Sequence, residues 1–103
     1  MQPMTIPEIV SAVDGTWLNP REGAAPVTAV CTDSRKIAPG CLFLPWVGER
    51  FDGHDFIDKA LDAGAAGCLC ARRPETLRPD KFYIQVADTR LALRALASAY
   101  RDR

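Results

Sequence analysis

Short apolar runs of strand length alternate along this chain with segments of helical period, and that alternation restricts its fold more than any other feature. Cys41-Leu42-Phe43-Leu44 is a continuous apolar run, hence a buried strand, with Pro45 at its end, where a missing N–H is tolerated. Gly67-Cys68-Leu69-Cys70-Ala71 is a second such stretch, with the strand placed over 68–71. Phe82-Tyr83-Ile84-Gln85-Val86 is a third. Between and around them lie stretches whose apolar residues recur every three or four positions. Helices that separate strands favour a layered α/β domain over a helical bundle or a β-sandwich.

The first helix is spelled in full. Thr5-Ile6-Pro7-Glu8 carries a capping box, with Thr5 as N-cap, Glu8 at the third helical position and Pro7 in the first turn. Ile6, Ile9, Val10 and Val13 form one stripe, and Asp14-Gly15 ends the helix, with Gly15 expected at the left-handed cap. Thr16-Trp17-Leu18 is a short strand candidate, and residues 19–26 form a polar loop. Val27 to Thr32 is rich in β-branched residues and reads as a strand. Ala38-Pro39-Gly40 is a turn. Asp55 to Ala63 reads as the second helix, with Phe56, Ala60, Leu61 and Ala63 inward and Gly64 as its cap. Asp88 is a good N-cap for a third helix, whose stripe is Leu93, Leu96, Ala97 and Tyr100. The predicted order is α-β-β-β-α-β-β-α.

With 103 residues the chain makes one domain, 1–103. Its 13 Lys and Arg balance 13 Asp and Glu, which argues against a dedicated nucleic-acid or anionic-membrane binder. Nothing is apolar for long enough to span a bilayer, and no basic-then-apolar leader follows Met1, so a cytoplasmic location is expected. The four cysteines spell no C-x-x-C pair. They read as reduced core thiols, with Cys68 and Cys70 on one side of a strand, rather than as a metal site or a disulfide.

Two constellations could carry chemistry. Thr32-Asp33-Ser34-Arg35 follows a strand directly, and ligands in α/β sheets lie beyond the carboxyl ends of strands. Its hydroxyls and guanidinium suit a nucleobase, a ribose or a phosphate. The residues alone favour a local role instead: Asp33 and Ser34 satisfy turn backbone groups while Arg35 pairs with Asp33. The second is Gly48-Glu49-Arg50-Phe51-Asp52-Gly53-His54, where two glycines bracket a charged loop and Phe51 could stack on a planar ring. A tight surface loop is the competing reading. The sole histidine, His54, has no nucleophile or second histidine beside it, which suits a helix cap or a bond to Asp52 or Asp55 better than acid–base work. Arg72-Arg73 reads as a solvated pair, and Trp17 and Trp46 as packing residues. No G-x-G-x-x-G or G-x-x-x-x-G-K-[ST] occurs, so no phosphate loop is spelled and tight ATP binding by this chain is not expected.

Taken together, Cys31-Thr32-Asp33-Ser34-Arg35-Lys36, Pro39-Gly40-Cys41-Leu42-Phe43 and the stretch from Gly48 to Phe56 resemble the N-terminal domain of the Mur ligases. The Gly-Glu-Arg-Phe-Asp-Gly-His form, Asp88-Thr89-Arg90 and Ala99-Tyr100-Arg101 are similar to the branch that adds D-alanyl-D-alanine to a UDP-linked muramoyl tripeptide. The resemblance implies a three-layer α/β/α domain with a mixed β-sheet. It implies a domain that holds the uridine diphosphate end of a UDP-N-acetylmuramoyl peptide, in a ligase whose central ATPase domain lies on the same polypeptide. That family activates a carboxylate as an acyl phosphate, which an amine then attacks. ATP and Mg²⁺ serve the full-length enzyme; the resemblance implies no cofactor, no metal and no catalytic residue in this chain. Carried over by motif, the uridine contacts are Thr32, Ser34, Glu49, Arg50 and Phe51, supported by Asp33, Arg35, Gly48, Asp52 and His54. The alternatives are the sibling ligase that adds the third amino acid and a non-catalytic α/β regulatory or interaction module.

Overall fold

The computed structural model describes residues 3–20, 22–45 and 53–101, with side chains through residue 99. Trp46 and the segment from Gly48 to Asp52, including Glu49, Arg50 and Phe51, lie outside the described residues. Helix α1 spans Ile6–Val13, β1 Thr16–Trp17, β2 Val30–Cys31 and β3 Leu42–Phe43. A 3₁₀ turn over Gly53–Phe56 leads into α2 (Ile57–Asp62), followed by β4 (Gly67–Cys70), β5 (Phe82–Gln85) and α3 (Thr89–Arg101). The element order is the predicted one.

The strands form a sheet of order β1-β5-β4-β3-β2, with β1 antiparallel to β5 and the other neighbours parallel. The sheet is therefore mixed. Its two faces sort the apolar runs by parity. Leu42, Leu44, Leu69, Phe82 and Ile84 face one layer, built from α1 and α3 through Ile6, Ile9, Val13, Ala92 and Leu96. Cys41, Phe43, Cys68, Cys70 and Tyr83 face the other, built from α2 through Ile57, Ala60 and Leu61. A strand covered on both sides has no polar face, which is why β3 and β4 read as unbroken apolar runs. Cys68 and Cys70 share a side, as expected.

All four thiols are free. Burial pushes the Cys70 thiol up to about 11 and Cys68 well above the ordinary thiol range. Cys41 is raised to about 12, by burial first and then by the neighbouring Cys31 thiol. These groups stay protonated and behave as small apolar residues.

The capping box of α1 forms in both directions: Glu8 N–H donates to Thr5 Oγ1 at 3.2 Å and Thr5 N–H to Glu8 Oε1 at 3.0 Å. The left-handed residue at its far end is Asp14, φ 53°, and not Gly15. Gly15 has a different task. A Cβ there would meet Ile84 Cγ2 at 2.7 Å and the Gln85 carbonyl oxygen at 3.0 Å, so the chain enters β1 hard against β5 only with glycine. Gly40 and Gly64 do carry positive φ, 79° and 119°, at the turn and the α2 end where they were expected.

Three expectations need correction. The strand predicted over Val27–Thr32 is paired as a strand only at Val30–Cys31, while Val27 forms an isolated antiparallel bridge to Met4. β2 is the outermost strand of the sheet, so only its end near β3 is held in register. The second helix is α-helical only from Ile57; Ile57 takes the inward place assigned to Ala63, which is exposed. Among the described side chains of α3 the buried ones are Thr89, Ala92 and Leu96; Leu93 is half-buried and Ala97 exposed, and the Tyr100 side chain lies outside the described ones. The helix is turned so that Thr89, directly after the cap, faces the sheet. The cap itself forms, with Asp88 Oδ1 accepting the Arg90 N–H at 2.8 Å.

Candidate functional site

The chain leaves β2 at the carboxyl edge of the parallel strands and turns at once. Asp33 makes that turn. Its Oδ1 accepts the Arg35 backbone N–H at 2.9 Å, and its two oxygens accept the Arg35 guanidinium at 3.1 Å each. The Lys36 N–H donates to the Asp33 carbonyl at 3.0 Å. Those hydrogen bonds from Arg35 hold the Asp33 carboxyl below its usual range, and Asp33 in turn raises the Arg35 guanidinium. The local reading of Asp33 and Arg35 is therefore correct: they fold the turn.

The same turn also walls a cavity of about 500 Å³, lined by Thr32, Asp33, Ser34, Arg35, Phe43, Phe56 and Lys59. Thr32 is exposed and Ser34 half-buried. Because Asp33 is spent on Arg35, the cavity offers hydroxyls from Thr32 and Ser34, aromatic surface from the half-buried Phe56, and the Lys59 ammonium, with the buried Phe43 behind its wall. Hydroxyls that both donate and accept, beside a ring face, suit a flat heterocycle with mixed polar edges. Phe43, Phe56 and Lys59 were not foreseen as site residues. Phe56 and Lys59 stand three residues apart, one helical turn, and that spacing was the available signal.

His54 does not join this cavity. Its Nε2 accepts the Ala71 N–H at 2.8 Å, tying the 3₁₀ turn to the end of β4. It lies instead beside a second, more polar hollow of about 640 Å³, with Arg72, Arg73 and Glu75 among its walls. The imidazole thus stands apart from the residues that line the first cavity and ties the turn before α2 to the end of β4. The Gly48–Asp52 candidates lie outside the described residues. Among the described residues no group of His, Cys, Asp and Glu could hold a metal ion.

Fold and cavity together define an α/β domain with a ligand-sized hollow at the carboxyl ends of its strands. A family model described as "Mur ligase family, catalytic domain" matches residues 26–101. The chain is 41% identical over 96 residues to UDP-N-acetylmuramoyl-tripeptide–D-alanyl-D-alanine ligase of Bacillus subtilis, covering 93% of itself and 21% of that protein. It is 53% identical over 74 residues to the Escherichia coli ligase of the same name, covering 72% of itself and 16% of that protein. It is 45% identical over 75 residues to UDP-N-acetylmuramoyl-L-alanyl-D-glutamate–2,6-diaminopimelate ligase of Chlorobium phaeobacteroides, covering 71% of itself and 14% of that protein. A crystal structure of MurF from Acinetobacter baumannii superposes with a TM-score of 0.87 and 30% identity, over 99% of this chain and 22% of that one. The chain belongs to the Mur ligase family and has the fold of its N-terminal domain.

Proposed function

We propose that this chain is the substrate-recognition domain of a ligase that joins D-alanyl-D-alanine to UDP-N-acetylmuramoyl-tripeptide, and that it holds the uridine diphosphate end. The observation that carries this reading is the cavity at the end of β2, walled by Thr32, Ser34 and two phenylalanines. The names of the Bacillus subtilis and Escherichia coli relatives supply the substrate class. Peptide-bond formation in peptidoglycan synthesis then falls to the whole ligase in the cytoplasm, with ATP and Mg²⁺ held by its central domain. This chain spells no phosphate loop for them. None of the described helices is long and apolar enough to cross a membrane. A second reading, the sibling that adds diaminopimelate, is favoured by the Chlorobium phaeobacteroides relative. It shares the UDP end, so the role of the cavity is the same in both. A reading frame that continues past Arg103 into G-x-x-G-K-[ST] supports either ligase over a stand-alone regulatory or interaction module.

Ser34→Ala in the full ligase tests the site. A lost neutral hydrogen bond costs about 0.5–1.5 kcal/mol, so KM for the UDP-linked substrate should rise roughly 2- to 13-fold. KM for ATP should stay where it is. A change in the ATP constant with none in the other would show that the cavity does not serve the uridine end.

A further inference from the structure

The cavity carries a charge that its local ion pair leaves over. Asp33 and Arg35 hold each other through two contacts of 3.1 Å, so their charges largely cancel in place. The Lys59 side chain lines the same hollow from α2, is exposed, and makes no hydrogen bond or ion pair with another described residue. Two other basic side chains are committed elsewhere. Arg78 is bound to Asp62 at 2.7 Å, and Lys81 Nζ donates to the Ala65 carbonyl at 2.8 Å. The hollow therefore presents hydroxyls, ring surface and, among the described residues, one positive charge without an ion-pair partner within a single wall set. A bare nucleoside would use the first two and leave the third idle.

We infer that Lys59 is a specificity-determining contact: its ammonium pairs with phosphate oxygens of a nucleoside diphosphate whose base lies toward the Thr32–Ser34 turn and Phe56. This rests on reading the cavity as a uridine diphosphate site and adds the residue that tells phosphorylated from unphosphorylated ligand. The ammonium is a hydrated point charge on a flexible stem, suited to a phosphate that carries charge on several oxygens. Its contribution is electrostatic and solvent-facing, so it is modest and falls with salt.

The test is an NMR titration of the 103-residue chain with uridine, UMP, UDP and inorganic pyrophosphate. The wild type is compared with Lys59→Gln, Lys59→Arg and Arg94→Gln, the last removing an exposed charge on α3 away from the cavity. Lys59→Gln should weaken UDP binding roughly 1.5- to 5-fold and leave uridine unchanged, the span expected of an exposed ion pair. Lys59→Arg should restore UDP binding, Arg94→Gln should match the wild type, and added salt should shrink the wild type's preference for UDP over uridine. Retained amide dispersion shows that each variant is folded. Equal UDP affinity in Lys59→Gln and wild type overturns the inference while leaving the uridine reading intact. A wild type that binds neither uridine nor UDP overturns the uridine reading itself. Pyrophosphate binding as strong as UDP, with none for uridine, marks a bare anion site and overturns both.

Discussion

Phe43→Ala should remove about 3–5 kcal/mol of stability, the range for deleting a fully buried phenyl ring. Phe43 is 1% exposed and sits on β3, with β2 and β4 on either side. Its ring packs in the α2-side core with Cys41, Cys68, Tyr83 and Leu61. The loss combines the transfer of apolar surface with the void left behind, because strands fixed on both sides collapse little. A domain of this size has about 5–15 kcal/mol in total, so the variant should be close to unfolding in mild denaturant. Phe43→Leu keeps most of the volume and should cost under about 1.5 kcal/mol. Urea denaturation of the three proteins measures this directly. A Phe43→Ala loss below about 1 kcal/mol would mean that β3 is not an interior strand. Phe43 is also among the residues around the candidate cavity, so Phe43→Leu allows the site to be probed in a folded protein.

Gly67→Ala should cost up to about 3 kcal/mol, for a reason unrelated to backbone conformation. Gly67 opens β4 opposite Leu42 on one side and Phe82 on the other. A Cβ there would overlap Phe82 Cγ and Cδ1 and the Phe82 carbonyl oxygen. The ring can swing away, but the carbonyl belongs to the sheet and cannot. Relief must come from parting β4 and β5, which disturbs the pairing from Gly67 to Cys70. The measurement is again the denaturation midpoint, with amide exchange of Tyr83 and Ile84 as a local readout. Unchanged stability and exchange would contradict the close approach of these strands.

What the chain discloses before folding is what neighbouring residues decide among themselves. The Thr5–Glu8 capping box, the Asp33–Arg35 turn and the Asp88 cap each need only two or three residues of separation, and each was readable. Buried strands were readable too, because a strand covered on both faces has no polar alternation to blur it. Long-range choices were not. Nothing near Gly15 announces Ile84, and nothing near His54 announces the Ala71 N–H across 17 residues. The antiparallel pairing of β1 with β5 is equally distant, and so is the clasp in which Asn19 accepts from the Tyr83 N–H and donates to the Lys81 carbonyl. The candidate site divides along the same line. Thr32 and Ser34 follow a strand and could be picked out by motif, whereas Phe43 comes to them through the pairing of β2 with β3, and Phe56 and Lys59 only when the segment of α2 docks on β3 and β4.

The central claim is that this domain takes a uridine diphosphate group in the hollow at the end of β2. Amide chemical-shift mapping on the ¹⁵N-labelled chain tests it in one titration with UDP. Saturable shifts should concentrate at Thr32, Ser34, Arg35, Phe56 and Lys59, and leave the outer face of α3 around Arg94 unmoved. Shifts centred instead on Arg72, Arg73 and Glu75 at the second hollow, or no saturable shift at all, would contradict it.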